Sequence, residues 1–148
     1  MTTDETSAQP RAVGEALDRI EDAARELGVP ADTTETAVAV FRRHRDQRGV
    51  HSYDVETAAA ACLYVACKVE RVPRTVDEVV DATGADRTQL LRRAKEVTSE
   101  LGIDLSGFAD ASQYVDRYAE ELGLPGPVAD RAREVIDVCE DAGIAGGK

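Results

Sequence analysis

The chain has 148 residues, enough for one domain or one and a half small ones, and 43% of them are hydrophobic, which excludes a disordered chain. Its formal net charge is −11, from 29 acidic and 18 basic side chains, and only three of the bases are lysine: Lys68, Lys95 and Lys148. High Asp and Glu with little Lys suits a halophilic protein kept soluble in molar salt; an ordinary acidic cytosolic protein shares the signature, because net charge speaks to solubility and not to fold.

Residues 1–10 read as a disordered leader, polar and without the apolar stretch of a signal peptide. Val13, Ala16, Leu17, Ile20, Ala23, Ala24 and Leu27 then recur at helical spacing and predict a first helix, which Gly28 and Pro30 end. A second helix is predicted from about Asp32 to Arg48, with Asp32, Thr33 and Thr34 as available caps and Ala37, Val40 and Phe41 on its inner face. Asp54 is the expected cap of a third, roughly Asp54 to Glu70. Its middle, AAAACLYVAC, is apolar all round, and a helix of that kind is buried on every side. Its apolar run, Ala58 to Cys67, is far short of the roughly 20 residues a membrane helix needs. After Pro73, Thr75 caps a short fourth helix with Val76, Val79 and Val80 inward and Gly84 at its end. Asp86 caps a fifth, Arg87 to Leu101, with Leu90, Leu91, Ala94, Val97 and Leu101 inward. No stretch alternates with period two for long enough to predict a sheet.

Beyond the loop GIDLSGFAD the pattern starts again. Leu27-Gly28-Val29-Pro30 returns as Leu122-Gly123-Leu124-Pro125, 95 residues later. The helix before it returns as SQYVDRYAEEL, with Val115, Tyr118, Ala119 and Leu122 inward. The helix after it returns as Val128 to Ala142, with Val128, Ala132, Val135, Ile136 and Cys139 inward. The predicted organisation is therefore all-α: a leader over 1–10, a complete five-helix repeat over 11–104 and two helices of a second repeat over 110–148. Those two helices carry apolar stripes with no third helix to cover them. They fold onto the first repeat, self-associate between chains, or meet a partner.

Charge is unevenly placed along the chain. Residues 1–40 are net −6, residues 41–95 net +3 and residues 96–148 net −8. In the basic middle, the apolar face of the fifth helix leaves Gln89, Arg92, Arg93 and Glu96 outward, with Arg87 in its first turn and Lys95 at the flank. Guanidinium groups fork onto phosphates or guanine edges, so this helix is a candidate nucleic-acid or partner surface, against the blander reading of a solvated face. Arg42, Arg43, Arg45 and Arg48 end the second helix. The helix dipole accounts for two cations there, and four within seven residues exceed its need. Arg71 and Arg74 flank Pro73 and could extend one basic strip.

Cys62, Cys67 and Cys139 form no disulfide framework, and the first two sit in the apolar run as small core residues. His44 and His51 have no Cys or carboxylate at ligand spacing, so no metal and no cofactor is expected. With no nucleophile elbow, phosphate loop or carboxylate pair, neither is an enzyme. A cytoplasmic binding protein is the expectation.

The stretch ETAAAACLYVACKVERVPRT (56–75) resembles the first core repeat of the transcription factor IIB family, most of all its archaeal branch, transcription initiation factor B. DEVVDATGADRTQLLRRAKEVTSELGI (77–103) resembles the continuation of that repeat, and SQYVDRYAEELGLP the opening of the family's second. The resemblance covers roughly residues 12–148. It implies a cyclin-like fold and binding to the TATA-binding protein on promoter DNA, with RNA polymerase as a further partner. It implies that Arg87, Arg92 and Lys95 lie near DNA or the TATA-binding protein, and that Arg71 and Arg74 lie beside the helix-turn-helix. The family's zinc ribbon and the last three helices of its second repeat have no counterpart in these residues, so a role modulating the full-length factor is one reading. A cyclin-like protein-interaction module without DNA binding is the other.

Overall fold

In a computed structural model of the chain, residues 3–48, 54–105 and 111–141 are described, with side chains over 11–47, 54–105 and 113–138. Seven helices occupy them: α1 (Thr3–Leu27), α2 (Ala31–Arg48), α3 (Val55–Val69), α4 (Val76–Thr83), α5 (Arg87–Leu101), α6 (Ala111–Leu122) and α7 (Gly126–Asp141). There is no strand among the described residues. The chain divides into two compact units, residues 1–105 and 106–148.

α3 is the axis of the first unit and packs against α1, α2, α4 and α5. Val55, Ala58 to Leu63 and Val65 to Cys67 are all buried. An alanine-rich helix lets its neighbours approach closely, so little aromatic volume is needed; Phe41, Ile20, Leu63 and Leu90 are the largest wholly buried apolar side chains. Around it α1 buries Ala12, Ala16, Ile20, Ala23 and Ala24, while α2 buries Ala37, Val40 and Phe41.

Local signals set the ends of the helices. Thr75 and Glu78 form a reciprocal capping box at the start of α4: the Thr75 N–H donates to Glu78 Oε1 at 2.8 Å, and the Glu78 N–H to Thr75 Oγ1 at 3.2 Å. Gly84 closes the helix in the left-handed region, and the Asp86 carboxylate accepts the Gln89 N–H at 2.9 Å to start α5. Three ends differ from expectation. α1 reaches back to Thr3, through the segment expected as a disordered leader; that stretch has no glycine, and Pro10 removes only one donor. α2 begins at Ala31, because the Pro30 carbonyl accepts the Thr33 and Thr34 N–H groups; Thr33 itself is buried. Asp54 precedes α3 without a side-chain cap bond, its carboxylate being held by Arg93 instead.

In the second unit α6 packs against α7. The backbone repeats that of α1 and α2 bond for bond at the offset of 95. Val29 N–H to Ala24 C=O (3.1 Å) matches Leu124 to Ala119 (2.9 Å), and Thr33 N–H to Pro30 C=O (3.0 Å) matches Val128 to Pro125 (3.0 Å). Gly28 and Gly123 turn both corners with φ of 65° and 63°, a region where a side chain costs about 1–2 kcal/mol. Of the residues expected inward, Val115, Ala119, Ala132 and Ile136 are half-buried, but Tyr118, Leu122, Val128 and Val135 are exposed. Cys139 lies outside the described side chains.

Candidate binding surface

The cations of the first unit sort by what holds them. Arg93, expected to face outward, is nearly buried, with Nη2 2.8 Å from Asp54 Oδ2 and Nε 3.6 Å from Glu96. Position 93 lies one turn from both Leu90 and Val97, at the seam between α5 and the start of α3, and the pair ties those helices together. Arg74 is also structural. Its Nε donates to Leu27 C=O at 2.9 Å, and Nη2 to Gly28 C=O at 3.5 Å. These are carbonyls at the C-terminal end of α1, where partial negative charge attracts a cation. Arg87 is exposed but paired with Asp77 at 3.0 Å, so an acid of α4 that would repel phosphate instead holds an arginine. Arg45 pairs with its neighbour Asp46.

The remaining cations of the basic middle have no carboxylate partner among the described residues. On α5 these are Arg92 and Lys95, exposed, with Gln89 one turn before Arg92. At the end of α3 they are Lys68 and Arg71. Lys68 Nζ lies 5.2 Å from the centre of the Tyr64 ring, in cation–π range. Lys68 and Lys95 share one shallow groove with Tyr64, Leu91, Ala94, Thr98 and Leu105. Arg71 is the one described non-glycine residue with positive φ, at 59°. Arg42 and Arg43 are exposed on α2 and likewise have no carboxylate partner among the described residues. The structure thus brings Lys95 and Lys68 to one groove beside α5, leaves Arg92 exposed one turn before Lys95, and removes Arg93 and Arg74 from the expected strip.

Lys68 and Tyr64 are not among the candidates that sequence supplies. The one signal for them is composition: two of three lysines stand on helices that pack together, and Tyr64 and Lys68 are one turn apart.

Burial pushes the Cys62 thiol up to about 12 and Cys67 to about 11, keeping both as inert core side chains. They do not fit a zinc ribbon, and no cluster of three or more metal-ligating side chains exists among the described residues. His44 is fully buried, its Nδ1 2.8 Å from Glu100 Oε1, which links α2 to α5; His51 lies outside the described residues. No described helix is long and apolar enough to cross a membrane.

Comparison with known proteins places these features. The family model described as "Transcription factor TFIIB repeat" matches residues 10–100. The chain is 33% identical over 141 residues to transcription initiation factor IIB 6 of Halobacterium salinarum, covering 95% of this chain and 44% of that protein. It is 35% identical over 133 residues to factor IIB 3 of the same organism (90% and 42%). With the transcription initiation factor IIB of Archaeoglobus fulgidus it shares 32% over 143 residues (97% and 44%). The chain therefore spans less than half the length of these relatives, which are named as transcription factors and not as enzymes.

Proposed function

Because the chain belongs to the transcription factor TFIIB repeat family, whose repeat is an all-α cyclin-like fold, we propose that it binds the TATA-binding protein on promoter DNA through the side of α5 that carries Gln89, Arg92 and Lys95, with Lys68 and Arg71 beside it. One observation carries the reading. In a chain of net charge −11, these cations are left without acid partners while Arg87, Arg93 and the arginines of the second unit are paired. Carboxylates are abundant, so cations left unpaired are what an anionic partner surface requires. Acting through this repeat, the chain modulates the full-length factor, with RNA polymerase reached through the shared complex. A cytoplasmic setting at high salt belongs to the same proposal.

A second reading, a protein-interaction module that does not touch DNA, is favoured by the loss of Arg93 and Arg74 to structural roles. It is also favoured by the steep salt dependence of phosphate binding. A gel shift in high-potassium buffer with purified TATA-binding protein, with and without TATA-box DNA, separates the two. A ternary complex supports the first reading. Binding to the TATA-binding protein in the absence of DNA, with no ternary shift, supports the second. No binding in either form overturns the first reading and leaves, for the second, a protein partner other than the TATA-binding protein.

A further inference from the structure

We propose that the groove between α3 and α5 docks an acidic segment of a partner protein, one that carries an apolar side chain between its carboxylates. The proposal rests on the reading of this side of α5 as a binding face, and it names what the groove within that face receives. Leu91, Ala94, Lys95 and Thr98 stand three and four residues apart, so they form a single stripe along α5. The stripe lies beside the Tyr64–Lys68 turn of α3, and Leu105 lines the same groove. Tyr64, Leu91 and Leu105 are only half-buried, so part of this apolar floor still meets water. Covering it is favourable for any partner that brings an apolar side chain.

The charge of the groove itself selects the occupant. Of the chain's three lysines, Lys68 and Lys95 both line it, and no acid is among the described residues that do. Glu96, next to Lys95, is engaged with Arg93. The Tyr64 ring holds the Lys68 ammonium 5.2 Å from its centre and leaves its charge unneutralised. Two ammonium groups beside an apolar floor complement carboxylates that flank an apolar anchor. A phosphate backbone supplies the charge without a side chain to fill the floor. A second copy of this chain approaches with −11 against −11, and such self-repulsion keeps proteins apart.

The test needs neither TATA-box DNA nor the TATA-binding protein, so its failure is separate from that of the proposed function. The full chain is titrated by fluorescence anisotropy into a labelled peptide with leucine between glutamates. Two control peptides replace the leucine by serine or the glutamates by glutamine. The expected result is saturable binding of the first peptide, at least about tenfold tighter than either control. Lys68→Gln with Lys95→Gln should weaken it by at least about tenfold, whereas Arg42→Gln with Arg43→Gln, which lie outside the groove, should change it by less than about twofold. All four side chains reach solvent and glutamine favours helix, so far-UV circular dichroism should be unchanged in both variants. Equal binding of the leucine and serine peptides, equal loss in the two variants, or no saturable binding overturns the proposal. So does a random DNA duplex whose binding the lysine variant loses while peptide binding stays, which assigns the groove to nucleic acid. Sedimentation showing a dimer that the lysine variant dissociates overturns it too, by assigning the groove to a second copy.

Discussion

The Arg93 guanidinium lies 2.8 Å from the Asp54 carboxylate, with only 10% and 14% of the two side chains exposed, and it closes α5 against the first turn of α3. Removing one partner leaves the other charge largely desolvated. Arg93→Met should therefore cost about 2–4 kcal/mol by urea denaturation, less than a fully buried pair would because some solvent reaches both groups. Arg93→Glu places two carboxylates together and should cost more. A charge-reversal test of binding at Arg93 would thus report unfolding. Arg92, exposed and unpaired, is the position to reverse.

Two buried thiols make stability fall in alkali. At pH below about 9 they are neutral in both states and contribute no slope. Above it the unfolded chain ionises near the ordinary value of 9.0, while the folded thiols hold their protons up to about 12 for Cys62 and 11 for Cys67. The unfolded state then binds fewer protons, so folding stability declines as pH rises through this window, by up to about 1.4 kcal/mol per pH unit per thiol. Denaturant midpoints between pH 8 and 11 should show the decline, and Cys62→Ala with Cys67→Ala should remove it. In a Cys139→Ser background, a thiol reagent at neutral pH should label nothing until the chain is unfolded.

The Thr75–Glu78 box is a reciprocal device, so its halves should not add. Thr75→Ala is expected to cost about 1 kcal/mol. Glu78→Ala after it should cost less than Glu78→Ala alone, which a double-mutant cycle on thermal midpoints measures.

Arg71 occupies a left-handed conformation that glycine adopts without strain. Arg71→Gly should raise stability by as much as about 1 kcal/mol. If Arg71 belongs to the binding surface, the same change weakens the complex with the TATA-binding protein on DNA, and Arg71→Lys restores most of it. A gain in both stability and binding would remove Arg71 from the site.

What sequence makes legible is what is local. Thr75 and Asp86 each cap within three residues, α3 announces itself as apolar all round, and the offset between Gly28 and Gly123 marks the repeat. The misreadings are long-range. Arg93 looks outward on its own helix because its partner is 39 residues away. Arg74 looks like part of a basic strip because the carbonyls it holds lie at the end of α1. Pairing of Arg87 with Asp77 needs α4 and α5 set side by side. A charge pattern shows how many cations a segment has; only packing shows which of them are already spoken for.

If the unpaired cations on α5 meet anionic groups of a partner, neutralising them must weaken both the complex and its dependence on salt. The affinity of the chain for the TATA-binding protein on TATA-box DNA should be measured across a series of potassium concentrations, for the native chain and for Arg92→Gln plus Lys95→Gln. Both positions are exposed, so the variant should fold as the native chain does. Weaker binding is expected, with a log–log salt slope shallower by roughly 1 for each phosphate no longer neutralised. The native affinity together with the native slope would contradict a binding role for this side of α5.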